Sequence, residues 1–206
     1  MKVAVICEFS GIVAKSFRDK GHYAISCDLE PSEMPGPHIQ GDCRDYDWSE
    51  YDLAICHPEC RYLSYAGNAW WNRPGREEKR KEAMDFFLWC YNLPVKRVAV
   101  ENPKGYPMKA FRKQDQIVHP YYFGDNYHKG IYLWLKNLPP LLWAKENELF
   151  LEKTAISKPD YGKFPSGKRK AFTDMFNNFD REKSRKMRSR FFPGTAQAMA
   201  NQWGEL

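Results

Sequence analysis

The chain has 206 residues, of which 43% are hydrophobic and 28% charged, with a formal charge of +6. That is enough to bury one core without disulfide staples, and the balance is that of a globular domain rather than a disordered one. No run approaches the ~20 apolar residues of a membrane span and no secretory pattern leads the chain, so a cytoplasmic protein with no membrane partner is expected.

In chain order, Lys2 to Cys7 is a Val- and Ile-rich run suited to a buried parallel strand. Glu8-Phe9-Ser10-Gly11 forms a turn in which Ser10 is placed to cap a helix over 12–20. A second strand over 22–27 closes on Asp28-Leu29-Glu30. An acid about 20 residues beyond the first turn is the spacing by which nucleotide-binding sheets hold ribose hydroxyls. Gly11 stands alone where a pyrophosphate cradle carries three glycines. A nucleoside without phosphates suits that turn better, and S-adenosylmethionine is one.

Residues 39–42 predict a short third strand ending on Asp42, and 53–56 a fourth. The fourth breaks at His57-Pro58 into a loop bearing Cys60, Tyr62, Ser64 and Tyr65, followed by the aromatic and basic stretch 69–76. A thiol there stands just beyond the carboxyl edge of a sheet, where open α/β sheets bind ligands. Cys60 alone reads equally as a small packing residue. The six cysteines, at 7, 27, 43, 56, 60 and 90, have no framework spacing, which points to reduced thiols. Cys56-His57-x-x-Cys60 lacks a second ligand pair, so no metal is expected.

A helix is expected over 76–92, with charges first and apolar residues later. A fifth strand over 95–100 ends in Glu101-Asn102-Pro103, and strands over 117–123 and 131–135 are joined as a hairpin. Residues 144–190 are polar and weakly periodic and predict no regular structure, while 193–203 closes the chain as a helix. From Lys163 to Arg190 the net charge is +7, leaving −1 for the rest. Such a basic stretch on a near-neutral body suits a polyanion partner, or else a solvated surface.

Glu8, Asp28, Asp42, Cys60 and Glu101 thus all fall at or just beyond strand ends. In that order the chain resembles the DNA cytosine-5 methyltransferases, and more closely the small methyltransferase-like proteins often carried by bacteriophages. Phe9-Ser10-Gly11 resembles the family's cofactor turn, Asp28 and Glu30 its ribose acid, and Asp42 the acid that meets the adenine amine. Pro58-Glu59-Cys60 resembles the Pro-Cys element and Glu101-Asn102 the Glu-Asn element. Residues 124–129 are similar to a loop bearing basic catalytic residues, here Lys129.

The resemblance implies an α/β, class I S-adenosylmethionine-dependent, Rossmann-like sheet flanked by helices, with a terminal antiparallel hairpin. It implies a catalytic core over 1–143, a basic insert or reduced target-recognition segment over 144–190, and a closing helix over 191–206. It further implies methylation of cytosine C5 in DNA through a covalent Cys60 adduct. Cys60, Glu101 and Lys129 would be catalytic, and Phe9, Ser10, Gly11, Asp28, Asp42 and Pro58 would bind the cofactor. Arg61, Arg73, Arg76, Lys168, Arg169, Lys170, Arg188 and Arg190 would meet nucleic acid, and Tyr65, Trp70 or Trp71 would stack on a flipped base. A catalytically silent nucleic-acid-binding relative and a methyltransferase of free pyrimidine nucleotides are the alternatives. The route to exocyclic amines is disfavoured, because His57-Pro58-Glu59-Cys60 offers neither end of the Asp/Asn-Pro-Pro-aromatic element it uses. Glu59, where a second proline is common in the family, sets a negative charge beside the proposed thiolate.

Overall fold

A computed structural model describes residues 1–70, 72–143, 155–159, 162–163, 165–170, 172–176 and 178–206. Its centre is a sheet of seven strands: β1 (Lys2–Ile6), β2 (Tyr23–Asp28), β3 (His38–Gln40), β4 (Leu53–Cys56), β5 (Arg97–Asn102), β6 (Gln116–Val118) and β7 (Ile131–Lys136), in the order β3-β2-β1-β4-β5-β7-β6. The first five strands are parallel, and β7 enters antiparallel between β5 and β6. This is the expected Rossmann-like α/β sheet, flanked by helices and closed by an antiparallel hairpin.

Side chains alternate across the sheet, as the two-residue period of a strand requires. Val3 and Val5 of β1, with Leu53 and Ile55 of β4, face one layer, formed by α1 (Ile12–Asp19) and α5 (Pro193–Trp203). Ala4, Ile6, Ala54 and Cys56 face the other, where α2 (Arg76–Tyr91) buries Met84, Phe87 and Cys90. Both faces being covered explains why the strands read as unbroken apolar runs.

Two expectations are corrected. The run 117–123 is not one strand: β6 ends at Val118, and Pro120–Phe123 is a 3-10 turn. Proline has no N–H to give a ladder, so the strand stops before Pro120. Residues 144–190 are not without regular structure, because Arg181–Ser189 forms a helix, α4, capped by Asp180, whose side chain accepts from the Lys183 N–H. A short helix, α3 (Pro107–Ala110), also follows β5.

Candidate active site at the carboxyl ends of β1, β4 and β5

The chain runs outward from β1 in both directions, to β2 on one side and to β4 on the other. The crevice beyond the carboxyl ends of β1 and β4 is therefore the topological switch point, the place where such sheets bind ligands. The turn 7–11 and the loop 57–64 stand there.

Glu8 is the main cap of α1, while Ser10 Oγ accepts only from the Ile12 N–H, at 3.4 Å. Its buried carboxylate accepts from the N–H groups of Val13 at 2.6 Å and Ala14 at 3.1 Å, and Ser10 Oγ donates to it at 3.2 Å. Burial pushes the Glu8 carboxyl up, against those hydrogen bonds and the nearby His57. A helix N-terminus is where a phosphate would bind, and here a side chain fills it. Gly11 has φ +69°, and a Cβ there would lie 2.7 Å from Met34 Cβ. Phe9 is buried, and its carbonyl accepts from the Glu33 N–H at 2.8 Å.

Asp28 is partly buried at the end of β2, accepts from the Glu30 N–H at 3.0 Å, and is pushed up chiefly by burial. Asp42 is held by Arg44, through the guanidinium and the backbone N–H, which lowers it to about 2. A filled helix terminus with acids at the ends of β2 and β3 fits a phosphate-free nucleoside rather than a dinucleotide.

The thiol loop and the carboxylate strand are fastened together at three points. Asn102 Nδ2 donates to the Pro58 carbonyl at 3.0 Å, Tyr106 N to Leu63 O at 2.7 Å, and Tyr65 N to Lys104 O at 3.2 Å. Ser64 and Gly105 form an antiparallel bridge, so close that a Cβ on Gly105 would collide with the Leu63 carbonyl. Within the loop, the Cys60 carbonyl accepts from Leu63 N and Ser64 N. Cys60, beyond β4, and Glu101, in the last residues of β5, thereby stand together.

Lys129 completes this corner. It lies over the rings of Phe172, at 5.5 Å, and Phe192, at 5.3 Å, and acts electrostatically on both Cys60 and Glu101. Cys60 is exposed as a residue, yet the protein atoms around its sulfur push the thiol up by desolvation; Glu101 and Glu59 push it further, against Lys129. Burial alone would raise Glu101, but hydrogen bonding to His57 and the charges of Lys129 and His57 outweigh it and hold the carboxyl below its ordinary value. The resting corner is therefore a thiol beside a carboxylate.

His57 and Asn102 carry this geometry, although the sequence pattern gives neither a role, Asn102 standing only as the second member of the Glu-Asn element. The signal was available for both: each is a polar residue at the end of an apolar run, like Asp28 and Glu101. Phe191, which packs on the His57 ring, had no such signal because it follows the polar segment.

The basic residues divide into two groups. Arg61, Arg73, Lys168 and Arg169 are exposed, and Lys170 is partly so. Arg76 instead turns inward, donating to the carbonyls of Arg61 and Gly67 at 3.1 Å each, and Arg188 donates to Ser184 O. Arg190 is bound by Glu33 at 2.7 and 2.8 Å, and Glu30 takes both Arg185 and Lys186. Part of the basic charge is thus answered within the chain. A concavity of about 380 Å³, lined by Asp180, Glu182, Lys183, Lys186, Met187 and Arg190, lies on α4, and none of the strand-end residues lines it.

Tyr65 is exposed, and Trp71 lies outside the described residues. All six cysteines are free. Among the described residues no three His, Cys, Asp or Glu side chains are grouped to hold a metal ion, and no helix is long and apolar enough to cross a membrane.

No protein-family model and no curated protein matches the chain. Among solved structures it is similar to the Dnmt2 methyltransferase of S. pombe (13% identity, TM-score 0.41, covering 74% of this chain and 57% of that one). It is also similar to the Entamoeba histolytica methyltransferase EhMeth (14%, 0.45, 78% and 58%) and to an rRNA methylase from Escherichia coli (15%, 0.38, 66% and 56%). The chain spans less than three-fifths of the length of each.

Proposed function

We propose that the protein methylates C5 of cytosine in DNA, with S-adenosylmethionine as cofactor and Cys60 as a transient covalent partner of the base. The observation that carries this reading is the fastening of the Cys60 loop to the strand bearing Glu101, with Lys129 acting on both. Cytosine C5 is a poor nucleophile until something adds at C6, and a thiolate is strongly nucleophilic once formed. A carboxyl group on the ring edge steadies the product of that addition.

The chain's own residues divide the work. The turn 8–11 and Asp28 would hold the nucleoside, with Glu8 excluding phosphate from the end of α1. When bound, S-adenosylmethionine supplies a methyl group on a sulfonium, electrophilic toward C5. Cys60 first gives its thiol proton to water, Lys129 favouring the thiolate that results, and the sulfur then adds at C6. Glu101 pairs with the N3 and amine edge of the base. After C5 is methylated, loss of the C5 proton to water re-forms the C5=C6 bond and expels the Cys60 thiolate. A duplex substrate would have its base flipped out at a cost of a few kcal/mol, and Arg61, Arg73 and Lys168 are exposed to meet phosphates.

Labelled methyl transfer to cytosine-containing DNA, and separately to dCMP, tests the reading with Cys60→Ser alongside. Transfer to DNA that fails in Cys60→Ser is expected; full activity of that variant would sink the thiol route. A second reading, a silent nucleic-acid-binding relative, is favoured by the upward push on Cys60 and by the hold of Arg44 on Asp42. Cofactor binding with salt-sensitive DNA binding and no transfer would support it.

A further inference from the structure

His57 is the member of the strand-end cluster to which the reaction above gives no task. Its N–H donates to Ile6 O at 2.9 Å, which pins it where β4 leaves β1. Its ring packs on Phe191, with centroids 4.8 Å apart, and its Nδ1 lies 3.5 Å from Glu101 Oε2. The two side chains are only 11% and 13% exposed. His57 Nε2 is buried with no hydrogen-bond partner among the described residues, and Glu8 feels its charge from the turn after β1. A buried imidazole therefore stands between two buried carboxylates, with Lys129 facing Glu101 from the β6–β7 loop and Phe191 bringing no charge from the start of α5.

The edge of cytosine sets a requirement that this arrangement meets. Its exocyclic amine donates, but its N3 accepts. A carboxylate only accepts, whereas a carboxylic acid both accepts and donates. Glu101 thus satisfies the whole edge only with a proton, and an imidazole exchanges protons readily near neutral pH.

We infer that His57 is a positioning residue that lends Glu101 the proton needed to recognise and activate cytosine. This rests on the reading of Glu101 as the ring-binding carboxyl. The imidazolium Nδ1–H bond breaks as an O–H bond forms on Glu101, leaving neutral imidazole and a neutral acid. As the S–C6 bond forms, the C5=C6 pair shifts to C4–C5 and the C4=N3 pair to N3. N3 then takes the proton, and Glu101 returns to carboxylate. When the thiolate leaves, that proton passes back to Glu101 and on to Nδ1, so no outside reagent is consumed. The neutral acid also removes one of the charges that push the Cys60 thiol up.

His57→Asn keeps an N–H donor near the Nδ1 position but carries no exchangeable proton of this kind, and His57→Ala removes both. Methyl transfer to DNA is expected to lose on the order of 10²–10⁴-fold in kcat in each variant, with KM for DNA within about threefold, a split expected of a proton step rather than of lost binding. In the wild type, imidazole ¹⁵N spectra are expected to show a downfield Nδ1–H that shifts in Glu101→Gln. Wild-type kcat in His57→Asn, or a resting His57 protonated on Nε2 alone, would overturn the role of His57 while leaving the methyltransferase reading intact. A wild-type protein that transfers no methyl group to any cytosine substrate would overturn that reading and this use of the proton together.

Discussion

Asn102 Nδ2 donates to the Pro58 carbonyl at 3.0 Å from a fully buried position, so the strand carrying Glu101 holds the loop carrying Cys60. The two residues are 44 apart in sequence, and this side-chain bond joins their elements beside the backbone bonds of Tyr106 and Tyr65. Asn102→Ala leaves that carbonyl unpaired. It is expected to cost about 1–3 kcal/mol of stability, measured by urea unfolding, and to lower methyl transfer by more than the loss of folded protein explains.

Gly105 answers a different need in the same junction. Its backbone lies against Leu63 too closely for any side chain. Gly105→Ala must push the two loops apart, at an expected cost of about 1–3 kcal/mol, and amide exchange at Leu63, Ser64 and Tyr106 is expected to quicken. A variant as stable and as protected as wild type would show that the loops are not locked here.

The charge around Cys60 makes a prediction in the free protein. Crowding, Glu101 and Glu59 push the thiol above its ordinary 9.0, against Lys129. Iodoacetamide alkylation of Cys60, followed by peptide mass spectrometry, is therefore expected to be slow at neutral pH and still rising above pH 9. Glu59→Gln is expected to move the curve to lower pH and Lys129→Met to higher pH. A midpoint below 9 in the wild type would contradict this account of the resting thiol.

The basic segment bears on the acidic loop rather than facing only solvent. Arg185 and Lys186 bind Glu30, and hydrogen bonding to Arg185 is the main reason its carboxyl sits below the ordinary 4.5, against a smaller burial effect. A folded-state value depressed in this way stabilises the clasp above the ordinary value, and the effect is lost as the pH falls through the lower folded one. Protection factors of the α4 amides, corrected for the intrinsic pH dependence of exchange, are expected to be lower at pH 3 than at pH 6, while those of β1 and β4 hold. Glu30→Gln is expected to reproduce much of that change at pH 6. Partly exposed pairs of this kind contribute only about 0.2–1 kcal/mol each, so global stability is expected to move little.

Much of the scaffold was legible because it obeys local rules. β1, β2, β4 and β5 are Val-, Ile- or Ala-rich runs buried on both faces, and the predicted bounds of α5 agree with Pro193–Trp203. Residues whose partners come from afar were not legible. The α4 helix has little apolar surface to betray it, and its anchors are the acids 30 and 33 of a distant loop. The main cap of α1 comes from Glu8, outside the usual capping position, so local sequence favoured Ser10, which takes only the Ile12 N–H. Cys60 and Glu101 stood out because each ends an apolar run. His57 did not, since its meaning depends on Glu101 and Phe191 arriving beside it.

The central claim is that Cys60 bonds to the base it methylates. Duplex DNA containing 5-fluorocytosine tests this most directly, because fluorine replaces the C5 proton whose loss frees the thiol. With S-adenosylmethionine present, a denaturant-resistant protein–DNA adduct is expected, mapped by mass spectrometry to the Cys60 peptide and absent in Cys60→Ser. Methylation of ordinary cytosine DNA with no trapped adduct, or an adduct on another residue, would contradict it.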